Sequence, residues 1–82
     1  MSLEALRAQL DEVDAQLIAT LARRAAVVDE IWRWKQAHAV PRLDAPREAQ
    51  VRERLLAQAE ALGLQRDAVS AILDRIIGVG LR

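Results

Sequence analysis

Apolar residues counted from the N-terminus fall at Leu3, Leu6, Leu10, Val13 and Leu17, and the register continues through Thr20, Arg24, Val27, Ile31 and Trp34. The spacing alternates between three and four, the seam of a helix packed against other helices. Ser2 is a good N-cap and Glu4 is well placed in the first turn. Residues 3–39 contain neither Gly nor Pro, so nothing interrupts this helix before Pro41. At about 1.5 Å per residue it is on the order of 55 Å long. A compact domain of this size has a radius of gyration of only about 12 Å. The rest of the chain is too short to cover such a rod. The helix needs a partner, and an antiparallel second copy is the simplest one, so the pattern predicts a homodimer.

The break is HAVPRLDAP, residues 38–46, with two prolines and Asp44 as N-cap of a second helix. That helix carries Val51, Leu55, Leu56, Ala59 and Leu62 at helical spacing. Gly63 followed by Leu64 is a C-terminal stop with its hydrophobic contact. Asp67 is the expected cap of a third helix burying Val69, Ile72, Leu73, Ile76 and Ile77, which Gly78 and Gly80 weaken toward its end. The reading is all-α, one long N-terminal helix plus two shorter ones, forming a single domain over residues 1–82.

Composition narrows the function classes. The chain is 52% hydrophobic but only 2% aromatic, so its core is aliphatic. Twelve basic and twelve acidic residues cancel, which argues against a nucleic-acid binder. With no cysteine there are no disulfides or thiolate metal sites, as suits a reducing cytoplasm. The opening MSLEALRAQL has no apolar h-region, and no apolar run is long enough to span a bilayer. A soluble, cytoplasmic domain is expected.

Arg24 places a permanent charge on the apolar seam. Lys35 lies eleven residues on, three turns plus about 20 degrees, and shares its face at roughly 16 Å. Val28 and Ile31 lie between them as an apolar floor. A groove with cationic ends and an apolar floor suits a small anion with a hydrocarbon body. The plainer alternative, in which Arg24 snorkels to solvent and Lys35 is ordinary surface, stands beside it. Arg7 lies roughly 25 Å down the same helix and reaches that groove only from an antiparallel partner; taken alone it is a surface residue. In DAPRE, Asp44, Arg47 and Glu48 open the second helix, either as a cap and its solvated neighbours or as carboxylates that accept from a substrate hydroxyl. His38, the only histidine, has no companion to complete a metal site. Trp32 and Trp34 point in different directions, and at least one is expected in the core. Arg23-Arg24 is too short for a nucleic-acid patch, and no Ser/His/Asp set or glycine-rich phosphate loop can be assembled.

The stretch ALRAQLDEVDAQLIATLARRAAVVDEIWRWK, then PRLDAPRE and two short helices, resembles the all-helical AroQ class of chorismate mutases over nearly the whole chain. The matching elements are LR near the start, D-x-x-L-x-x-x-L-x-R-R in mid-helix, the lysine eleven residues on, and D-x-x-R-E, all in register without gaps. The resemblance implies an intertwined antiparallel homodimer that rearranges chorismate to prephenate, toward phenylalanine and tyrosine, without metal or cofactor. It implies that Arg24 and the partner's Arg7 hold the two substrate carboxylates. Lys35 would bond the ether oxygen, Glu48 with Asp44 would contact the ring hydroxyl, and Arg47 would support the carboxylate side. A [3,3] shift requires no nucleophile; it requires a folded substrate and positive charge where the ether oxygen becomes negative. The family's late serine falls at Gly80 and the following glutamine or glutamate falls beyond Arg82. This predicts a low intrinsic rate, raised by an activating enzyme of the shikimate pathway, as in some short members. Alternatives on the same fold are an isochorismate–pyruvate lyase, a 4-amino-4-deoxychorismate mutase, and a non-catalytic dimerisation or regulatory module. The Arg47-Glu48 pair leans against the lyase.

Overall fold

The computed structural model describes residues 2–79 and is helical: α1 (Leu3–Ala37), α2 (Ala45–Ala61), α3 (Arg66–Leu73), and a π-helical continuation over Asp74–Val79. Gly80, where the resemblance places the family's serine, lies outside the described residues.

Local chemistry sets most of the boundaries. The Ser2 hydroxyl accepts from the Ala5 amide at 3.1 Å and starts α1. The helix stops at Ala37, two residues short of the expected run. The Val40 amide donates back to the Lys35 carbonyl at 2.9 Å and the Ala39 amide to Gln36 at 3.4 Å, a paired reversal that usually takes glycine. Here Ala39 adopts φ +54, a left-handed conformation costing an L-residue about 1 kcal/mol. The same reversal ends α2, with Leu64 donating to Ala59 at 2.9 Å and Gly63 to Glu60 at 3.0 Å. There Gly63 supplies the φ of +82. Nothing lies within 4 Å of a Cβ built at that glycine, so backbone conformation, rather than crowding, selects it. Asp44 caps α2 as expected, accepting from the Arg47 amide at 3.1 Å. Asp67 does not cap α3: the helix begins at Arg66, two residues earlier than that cap would place it, Gln65 holds the cap position without a side-chain bond, and Asp67 lies in the first turn.

The core is small and belongs to the C-terminal half. Leu56, Leu73 and Ile77 are buried together, with Val51, Leu55 and Val69 packed against them. Ile72 and Leu62, expected inside, are exposed. Two arginines tie α2 to the segment that follows it. Arg66 donates to Glu60 at 2.7 Å and to Glu53 at 2.9 Å; the hydrogen bond it gives to Glu60 and the charge of Glu53 push its pKa up. Arg52 donates to the Ser70 hydroxyl at 3.1 Å and pairs with Asp74.

In α1 no residue is buried. Leu3, Leu6, Leu10, Val13 and Leu17 keep 47–62% of their surface exposed. The molecule measures 55 × 23 × 17 Å with a radius of gyration of 16.0 Å, well above the roughly 12 Å of a compact domain this long. The first half of the seam therefore has no cover within the described chain. Neither tryptophan enters the core. Trp32 is half-buried, and Trp34 is exposed with its ring stacked on His38 at 4.0 Å.

Candidate active site

The C-terminal half of α1, the turn that follows it, α2 and the π-helical turn enclose an open cleft of about 390 Å³. Its floor is built at helical spacing on α1, by Val27, Val28 and Ile31, and is closed by Val51 and Leu55 of α2 and by Ile77. Arg24 and Lys35 stand on the same wall, one at each end of that floor, as three turns of helix require. Both are half-buried. The Arg24 guanidinium reaches across to donate to the Ile76 carbonyl at 3.4 Å. Lys35 Nζ donates to the Arg42 carbonyl at 2.9 Å. The cap reversal at Ala39 turns the chain back so that this carbonyl lies within reach of a helix it has just left.

The first turn of α2 supplies Asp44, Arg47 and Glu48 to the opposite wall. Asp44 therefore caps the helix and lines the cleft at once, and the two readings of DAPRE are compatible. Glu48 is half-buried. Arg47 is exposed and donates to the Gln50 side chain at 3.2 Å.

Five of the six residues singled out in the sequence thus meet in one cleft. Arg7 does not: it is exposed in the N-terminal part of α1 and is absent from the lining. Two cationic lining residues were missed. Arg54 follows Arg47 by seven residues, two turns on the same face, a spacing that would have found it. Arg42 stacks its guanidinium over the Trp32 ring at 4.6 Å, at the cleft rim. No periodicity marks Arg42, because it sits in the irregular turn. His38 Nδ1 donates to the Trp34 carbonyl at 2.8 Å, and the ring lies outside the cleft.

The electrostatics are one-sided. Five cations, Arg24, Lys35, Arg42, Arg47 and Arg54, face two carboxylates, Asp44 and Glu48. A concavity in which one sign of charge predominates attracts ligands of the opposite sign. With an apolar floor beneath, the arrangement fits a compact organic dianion bearing one hydrogen-bond donor for the carboxylates. Among the described residues, no group of three His, Cys, Asp or Glu side chains gathers as a metal site would require. No helix among them is long and apolar enough to cross a membrane.

Comparison with known proteins agrees with this geometry. The family model for chorismate mutase type II matches residues 6–82. The T-protein of Enterobacter agglomerans is 36% identical over 75 residues, which is 92% of this chain but 20% of that protein. The T-protein of Haemophilus influenzae is 28% identical over 76 residues, again 20% of its length, so the chain spans about a fifth of these relatives. The 4-amino-4-deoxychorismate mutase of Streptomyces venezuelae is 35% identical over 75 residues and is covered to 73%. No solved structure matches. The match over residues 6–82, together with the all-α architecture, establishes that this chain belongs to the chorismate mutase type II family, a family of isomerases.

Proposed function

We propose that the protein rearranges chorismate to prephenate in a cleft completed by a second copy of the chain. The observation that carries the proposal is the pairing of half-buried Arg24 and Lys35 across the apolar floor of Val28 and Ile31, opposite Glu48. Each group then has a task. Arg24 binds a substrate carboxylate, with Arg47 supporting that side. Val28 and Ile31 press on the ring and hold the enolpyruvyl arm folded over it, removing conformational freedom before the bond changes begin. Lys35 stands where the breaking ether C–O bond leaves negative charge, and stabilises the transition state more than the ground state. Glu48 and Asp44 accept from the ring hydroxyl.

The second carboxylate falls to Arg7 of a partner subunit. In an antiparallel pair, α1 of one protomer runs alongside α1 of the other, and the 25 Å or so separating Arg7 from Arg24 becomes the distance between two halves of the same arrangement. The exposed leucines at positions 3, 6 and 10 are the surface such a pair would bury. The single domain over residues 1–82 is accordingly a half-site until it dimerises. We place it in the cytoplasm, in phenylalanine and tyrosine synthesis, with an activating shikimate-pathway enzyme as a further partner.

A second reading is favoured by one observation: the Streptomyces venezuelae relative, similar over most of its own length, is a 4-amino-4-deoxychorismate mutase. The two substrates differ at the C4 substituent, which faces Asp44 and Glu48 in this proposal, and a carboxylate accepts from an amine as readily as from a hydroxyl. The test is loss of substrate absorbance with each compound, with the product identified. A higher kcat/KM for chorismate, abolished by Lys35→Ala, is expected. Turnover of the amino compound alone would transfer the assignment to the second reading, and full turnover by Lys35→Ala would overturn the site.

A further inference from the structure

The π-helical turn contributes to the cleft without belonging to its cationic wall. Its Ile76 carbonyl accepts from Arg24, and its Ile77 side chain closes the floor. π-Helical turns are rare and persist where surrounding contacts hold them, often beside functional sites. Here the holding contact comes from α2. Arg52 donates through Nη1 to the Ser70 hydroxyl at 3.1 Å and to the Ser70 carbonyl at 3.4 Å, and through Nη2 it pairs with Asp74. Ser70 is in the last turn of α3 and Asp74 opens the π-helical turn, so a single guanidinium spans the junction. The Arg52 side chain is only 29% exposed.

Behind the cleft lies a second concavity, lined by Ala45, Glu48, Ala49, Arg52, Asp74 and Ile77. Glu48 and Ile77 line both spaces and form the wall between them. Arg52 therefore acts on the far side of two residues that face the ligand. We infer that Arg52 is a positioning residue for the active site: by fixing the α3–π junction to α2, it sets where the turn presents Ile76 to Arg24 and Ile77 to the cleft. The kinetic part of this inference rests on the proposed mutase reaction; the coupling between Arg52 and Arg24 does not.

Arg66 supplies the control. It joins α2 to α3 at the opposite end, through Glu53 and Glu60, and none of these three lines the cleft. In the full-length protein, Arg52→Ala is expected to lower kcat/KM by about tenfold or more, in line with the sensitivity of positioned groups to displacements near 1 Å. Arg66→Ala, compared at matched thermal stability, is expected to stay within about twofold, because its contacts are remote from Arg24. In a double-mutant cycle, Arg52→Ala combined with Arg24→Lys is expected to lose less than the sum of the two.

A readout independent of turnover is the 15N resonance of Arg24 Nε and the rotation of its guanidinium by NMR. Both are expected to change in Arg52→Ala and not in Arg66→Ala. Equal effects of the two alanine variants, or an Arg24 resonance unmoved by Arg52→Ala, would overturn the inference. If Arg52→Ala does not fold, Asp74→Asn removes the ion pair alone and is expected to shift the Arg24 signal in the same direction; an unchanged signal would overturn the inference equally. Wild-type protein inactive on chorismate would sink the proposed reaction, while the Arg24 signal would still decide the role of Arg52.

Discussion

If one active site takes Arg24 from one chain and Arg7 from its partner, two inactive variants should restore each other. Arg7→Ala removes an exposed side chain, and Arg24→Ala loses one hydrogen bond to the Ile76 carbonyl, worth about 0.5–1.5 kcal/mol. Both variants are therefore expected to fold. Each homodimer lacks one carboxylate-binding guanidinium in both sites. Removing one such charged donor costs on the order of 3–4 kcal/mol of transition-state stabilisation, about 100- to 1000-fold in rate. When the two variants are unfolded together in equal amounts and refolded, about half of the dimers are mixed. In a mixed dimer one site receives wild-type Arg24 and wild-type Arg7, and the other receives neither. About a quarter of the wild-type site concentration is then restored, from parents with less than about a hundredth of the activity. The assay is chorismate consumption before and after co-refolding, with each variant refolded alone as reference. Activity of the mixture that stays at the mean of its parents would refute the shared site. So would wild-type turnover by Arg7→Ala alone.

Three further outcomes follow from named contacts. Ala39→Gly relieves the left-handed backbone at φ +54 and is expected to stabilise the protein by about 0.5–1 kcal/mol, raising Tm by several degrees in a thermal melt. Leu56→Ala empties the most buried position, at 2% exposure, and is expected to cost about 2–5 kcal/mol by denaturant titration, whereas Ile72→Ala, at an exposed position, should cost far less. Leu10→Glu places a charge in the uncovered seam of α1 and is expected to yield monomer by equilibrium sedimentation; an unchanged dimer would show that this face is not the interface.

The architecture and much of the site were legible because both depend on helical period. Apolar spacing and the absence of Gly and Pro marked α1, and counting turns put Arg24 and Lys35 at the ends of one floor. Asp44 was legible as a cap because its side chain satisfies a backbone amide three residues on, a purely local interaction. What escaped was decided by contacts distant in sequence or by backbone conformation. An alanine in a left-handed cap carries no propensity signal, so the end of α1 was placed two residues late. Asp67 competed for a cap position that the chain takes two residues earlier, at Gln65. The π-helical turn depends on Arg52 and Arg24, which lie 22 and 52 residues from their partners Asp74 and Ile76. Arg42 reaches the cleft rim only because the turn folds back onto Trp32.

The unbroken length of α1 makes it a ruler. Between Arg7 and Arg24 a substitution changes one contact, but an inserted residue rotates everything beyond it by about 100 degrees and lengthens the rod by about 1.5 Å. One such insertion would turn Arg7 by that angle relative to Arg24. In the proposed dimer, an insertion of seven would nearly preserve the angle and still move that arginine about 10 Å along the axis, out of the partner's reach. Few constraints on this helix concern which residues it contains, apart from the seam and the cations. For a site that takes Arg24 from one chain and Arg7 from its partner, the number of residues between the two is the property this helix has no freedom to vary.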